Sequence, residues 1–111
     1  MKMTKRFFGQ VGKLKPEMIE DYVHLHGHPW PKLLDTLKKY HLQNYSIFQY
    51  GDLVFSYFEY AGEDYEADMA LLAEEPVMHS WWTYSKPCFS SFAMHPQEEF
   101  YADMQRIFYL P

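Results

Sequence analysis

The chain has a single cysteine, Cys88, in 111 residues. That rules out an intrachain disulfide framework and a zinc site built on cysteines. No apolar run approaches the roughly 20 residues that a membrane span needs. The opening MKMTKRFFGQVG carries basic residues but lacks the apolar stretch of a secretory signal. Positive charge is also scarce, with 10 Lys and Arg against 15 Asp and Glu for a net charge of -5 and the signs interspersed. No basic stripe exists to follow a phosphate backbone, so no nucleic-acid partner is expected. With neither a membrane segment nor a leader in view, the expected location is cytoplasmic.

What the chain has in quantity is aromatic and apolar surface. Hydrophobic residues reach 48%, which makes a globular fold and not a disordered chain. Its length suits one domain over residues 1–111. Aromatics reach 20%, enough for a Phe/Tyr-rich sheet core and also for a pocket that stacks flat ligands or sugar faces.

Periodicity divides the chain into elements. Residues 4–12 alternate as a strand, with Phe7 and Val11 on one side and Phe8 and Gln10 on the other. Pro16 suits a first helical turn, and Met18, Ile19, Tyr22, Val23 and Leu25 then follow at helical spacing until Gly27 and Pro29 interrupt. A second helix over residues 30–41 points Leu33, Leu34 and Leu37 inward and keeps lysines in its last turns. Two aromatic-rich strands, 42–50 and 53–61, flank Gly51-Asp52, a hairpin signal. Residues 63–76 read as helix, 77–85 as one or two further helical turns, 88–97 as loop and 105–110 as a last strand. The order β, broken α, β, β, α, β is the α+β ferredoxin-like arrangement: a four-stranded antiparallel sheet with helices on one face. The bare face would be rich in Phe and Tyr, which predicts a homodimer packed sheet to sheet.

Histidines 24, 26 and 28 stand at alternate positions in EDYVHLHGHPWPKL. His24 and His28 have the i, i+4 spacing of a helical metal pair, but Gly27 and Pro29 end the helix around them. No carboxylate or cysteine completes a convincing third ligand nearby, so no metal is expected. His26 differs: it follows Tyr22 by four residues and falls on the inward stripe. By position alone it is either a core-edge histidine satisfied by a hydrogen bond or a general acid or base, which its titration near neutral pH suits.

Four motifs in order bear on that choice. They are Y-x-x-x-H-x-x-x-W-P (Tyr22, His26, Trp30, Pro31), NY (Asn44, Tyr45), WW (Trp81, Trp82) and a terminal FYLP (Phe108 to Pro111). In these, and in length and element order, the chain resembles the L-rhamnose mutarotase family nearly end to end. The resemblance implies a dimeric α/β barrel, with His26 as proton donor and Tyr22, Tyr45, Trp81 and Trp82 at substrate-binding positions. The chain departs from the family beside that histidine, where HGHPWP stands in place of the usual Asn-Pro dipeptide. The departure leaves the reaction type intact and the preferred sugar open, L-rhamnose or another deoxyhexose such as L-fucose.

Mutarotation passes a reducing sugar through its open-chain aldehyde, so proton transfer suffices and no cofactor, metal or covalent intermediate is implied. One histidine, phenol hydroxyls and aromatic walls make a sufficient site. Alternation places Gln43, Tyr45, Ile47 and Gln49 on one face of their strand, a polar floor beneath Tyr22 and His26. Two other readings suit the same scaffold: a cofactor-free monooxygenase, which would consume oxygen, and a non-catalytic small-ligand-binding protein.

Overall fold

The computed structural model describes residues 5–90 and 100–111. Thr4, and positions 91–97 of the expected loop, therefore lie outside the described residues. The chain runs β1 (Arg6–Leu14), a 3-10 turn (Pro16–Met18), α1 (Ile19–Gly27), α2 (Pro31–Lys39), β2 (Leu42–Tyr50) and β3 (Leu53–Tyr60). It continues through α3 (Tyr65–Glu74), α4 (Pro76–Ser85), a second 3-10 turn (Lys86–Cys88), β4 (Phe89–Ser90) and β5 (Tyr101–Asp103). Prolines punctuate this order for a physical reason. Pro31 and Pro76 open their helices, where a missing N–H is no loss, and Asp64 caps α3 by accepting from the Ala67 N–H at 3.1 Å.

The sheet is antiparallel and ordered β2-β3-β1, with β4 and β5 both pairing to the outer side of β1. Two short strands thus share the fourth position of the expected four-stranded sheet. The β2–β3 hairpin turns on Gly51 and Asp52, with Gly51 at a φ of 60° that glycine adopts without strain. At Gly12 the absent side chain is needed. A Cβ there would stand 2.7 Å from the Phe89 ring and 2.9 Å from the Phe100 carbonyl oxygen, so only glycine lets the outer strands close onto β1.

One face of the sheet carries the core. Phe8 and Leu14 of β1, Val54, Phe58 and Tyr60 of β3, and Leu42 and Ile47 of β2 lie under the helices. They meet Tyr22 of α1, Leu33 of α2, Leu72 of α3, and Met78 and Trp81 of α4. The other face carries Phe7, Val11, Phe55 and Tyr57 and, fully in the open, Phe48 and Tyr50. Phe7 and Phe8 thus separate as alternation requires.

Three expectations need correction. Leu34 faces outward, and in α2 the second buried position after Leu33 is Thr36. Thr36 can be buried because its hydroxyl donates to the Lys32 carbonyl one turn back at 2.8 Å. The last strand is not residues 105–110 but Tyr101–Asp103. The outer side of β1 is already taken by β4 and β5, so the tail leaves the ladder. Arg106 holds it by lying 4.4 Å from the ring centres of both Phe7 and Tyr109, while Ile107, Phe108 and Leu110 stay exposed.

The third correction concerns β2. Its register shifts between Gln43 and Ser46, and Asn44 sits there at a φ of 50°. Asparagine tolerates that left-handed backbone, and its side-chain amide donates to Glu59 Oε1 at 2.9 Å on the bare face. The bulge interrupts the alternation, so Leu42, Tyr45 and Ile47 share the helix side while Gln43 pairs with Glu59 on the other. Gln49 turns back to donate to the Gly51 carbonyl. The polar floor of Gln43 and Gln49 is therefore not built, and it is the bulge that turns Tyr45 inward.

Candidate active site

Between α1, α2, α4 and the sheet lies a cleft of about 650 Å³, within the roughly 300–1,000 Å³ usual for small-ligand sites. The five residues singled out from the sequence, Tyr22, His26, Tyr45, Trp81 and Trp82, all border it. They reach it from three elements. The first two come from successive turns of one face of α1, Tyr45 from the bulge in β2, and the tryptophans from the middle of α4.

His26 is half-buried, its ring 4.1 Å from that of Tyr22 and edge-on to Trp81 at 5.1 Å. Its Nδ1 lies 2.9 Å from the Tyr22 carbonyl oxygen. A carbonyl only accepts, so Nδ1 carries the proton of the neutral ring, and Nε2 is the nitrogen left for other partners. Burial disfavours the charged form and holds the His26 pKa below the usual histidine value, opposed by that hydrogen bond. His24, on the exposed side of α1, and His28, just past its C-terminal end, are both exposed, their ring centres 4.5 Å apart. Among the described residues, no three His, Cys, Asp or Glu side chains converge as metal ligands.

The two tryptophans divide. Trp81 is buried in the core against His26 and Trp30. Trp82 is half-buried, and the Lys86 ammonium lies 4.2 Å from the centre of its ring. Tyr45 stacks on Phe58 at 5.0 Å, and burial of its hydroxyl pushes its pKa up although 41% of the residue remains exposed. Leu33, Leu34 and Leu37 of α2 form an apolar wall, which explains why Leu34 points away from the core.

Sequence reasoning missed Tyr101. Its hydroxyl oxygen lies 2.8 Å from that of Tyr22, and its ring borders the cleft. Burial, and then the neighbouring phenol, drive the Tyr22 pKa far above the usual tyrosine value, and burial likewise raises that of Tyr101. Both are therefore neutral hydroxyls at neutral pH. The only signal in the sequence was the tyrosine itself, 79 positions from its partner.

Comparisons with known proteins agree with one another. A family model described as L-rhamnose mutarotase matches residues 7–110. An L-rhamnose mutarotase of Lactiplantibacillus plantarum is 32% identical over 102 residues, 92% of this chain and 95% of the relative. One of Listeria monocytogenes is 34% identical over 100 residues, 87% of this chain and 90% of the relative. Among solved structures, an L-rhamnose mutarotase from Formosa agariphila superposes with a TM-score of 0.73 at 19% identity, over 96% of this chain and 99% of that one. At that identity the last likeness speaks for the fold.

Proposed function

Because the chain belongs to the L-rhamnose mutarotase family, an isomerase family, we propose that it interconverts the α and β anomers of L-rhamnose or a related deoxyhexose such as L-fucose, with His26 as proton donor. The observation that carries this reading is the meeting of His26 with the hydroxyls of Tyr22 and Tyr45 and the ring of Trp82 in one cleft. In its protonated form His26 holds Nδ1–H on the Tyr22 carbonyl and offers Nε2–H. A lowered pKa makes that imidazolium a stronger acid. The Nε2 proton passes to the ring oxygen as the bond from that oxygen to C1 breaks, and the anomeric hydroxyl gives its proton to water at the cleft mouth. The open-chain aldehyde turns about C1–C2 and recloses with the transfers reversed. Tyr22 and Tyr45, kept neutral by burial, bind sugar hydroxyls without exchanging protons with them. The apolar wall of α2 suits the methyl group that a deoxyhexose carries in place of a hydroxymethyl.

Saturation-transfer NMR between anomeric protons over a sugar panel tests this. Exchange above the spontaneous rate with L-rhamnose is expected. Oxygen uptake with an aromatic substrate, or sugar binding without faster exchange, would favour the monooxygenase or the binding protein instead.

The proposal includes a homodimer through the bare sheet face. Phe48, Tyr50 and Tyr57 are exposed there, 67%, 80% and 36% respectively, and so many aromatics in contact with water favour association. Light scattering at micromolar concentration should give twice the chain mass, and Phe48→Asp should give a monomer. A wild-type monomer would remove the dimer and the barrel. A buried, unpaired Cys88 is compatible with the cytoplasmic location proposed for the protein.

A further inference from the structure

Tyr22 stands on α1 and Tyr101 on β5, yet their hydroxyl oxygens meet at 2.8 Å inside the cleft. Phe89 holds both rings by edge contacts, 5.2 Å from each. The strand that carries Tyr101 is pinned opposite Gly12, where only a glycine leaves room for Phe89 and the Phe100 carbonyl. The pair is therefore fixed before a ligand arrives.

Two phenols bring two protons and use one between them. One O–H and lone pairs on the oxygens remain to serve the cleft. The separation of the oxygens is close to that of vicinal hydroxyl oxygens on a pyranose ring. One sugar hydroxyl can accept the free proton while its neighbour donates to the other phenol. We propose that Tyr22 and Tyr101 form a phenol pair that reads a vicinal diol of the sugar, with Tyr101 as a specificity-determining residue. This rests on the anomer-exchange reading of the same cleft. A site built to bond a hydroxyl rejects an analogue lacking it, because a buried polar group is then left unpaired.

Tyr101→Phe in the full chain keeps the ring and its contact with Phe89. It should raise KM for L-rhamnose roughly 3- to 10-fold, with kcat nearly unchanged. The wild type should discriminate against two adjacent monodeoxy analogues among the 2-, 3- and 4-deoxy sugars, and Tyr101→Phe should lose that discrimination for one of them. The Tyr22→Phe and Tyr101→Phe effects should be non-additive. Wild-type kinetics in Tyr101→Phe, or an equal loss on every analogue, would overturn the pair. Should the variant fail to fold, tryptophan-fluorescence titration of the wild type with the same analogues decides: weakening at two adjacent positions supports the pair, and equal binding of all three overturns it. If the wild type binds with the adjacent-hydroxyl pattern but exchanges no anomers, the pair stands and the mutarotase reading falls.

Discussion

His26→Ala is expected to slow catalysed anomer exchange about 10²–10⁴-fold, the range typical of a lost general acid. Among the described residues that border the cleft, the imidazole is the one whose ordinary titration range lies near neutrality, and burial drives Tyr22, Tyr45 and Tyr101 further upward from theirs. Its place is set by the Tyr22 carbonyl one turn earlier and by the Trp81 ring edge. Alanine keeps the helix, so the loss is chemical provided the variant's thermal unfolding remains cooperative. His24→Ala and His28→Ala serve as controls. Both residues are exposed, His24 on α1 and His28 just past its end, and exchange should hold near wild type. A damaging His24→Ala beside a harmless His26→Ala would mean that the proton donor has been assigned to the wrong histidine.

Trp81→Ala should cost about 3–5 kcal/mol of stability in urea unfolding, as large-to-small changes of buried aromatics do. Trp81 is only 7% exposed and touches His26 and Trp30 edge-on, so its removal empties the junction of α1, α2 and α4. Trp82→Ala should behave differently. It removes a half-buried ring at the cleft, leaves most of the core intact and should raise KM roughly 3- to 10-fold, the worth of one aromatic contact. Equal stability losses in both variants would show that Trp82 is a core residue and leave the sugar without its proposed stacking platform.

Much of this was legible because the signals were local. Tyr22 and His26 are four residues apart, and helical spacing alone puts them on one face. Gly51-Asp52 announced its hairpin through the backbone that glycine permits. The misses were non-local. Period-two alternation predicts a face only while the ladder is regular, and the bulge at Asn44 reversed it, which is why Gln43 was misplaced. The NY motif marked the right spot, but nothing in its letters says that Asn44 turns the chain and Tyr45 gains from it. The tail reads as strand because Ile107, Phe108 and Leu110 are apolar, although pairing depends on a free edge that β4 and β5 already occupy. Tyr101 was invisible for the same reason, since only the folded sheet brings it to Tyr22.

The central claim is that His26 donates the proton. The rate of L-rhamnose anomer exchange, measured by saturation transfer from about pH 4.5 to 8 with the spontaneous rate subtracted, tests it most directly. Nδ1–H is committed to the Tyr22 carbonyl, so only the imidazolium can donate from Nε2. Its folded pKa lies below the usual value of about 6.5. The donor form is thus complete at low pH and lost as pH rises. The predicted profile is a plateau at acid pH falling through a midpoint below 6.5, with no such limb in His26→Ala. A limb that rises with pH through the same range would make His26 a base, and no exchange above the spontaneous rate at any pH would contradict the account as a whole.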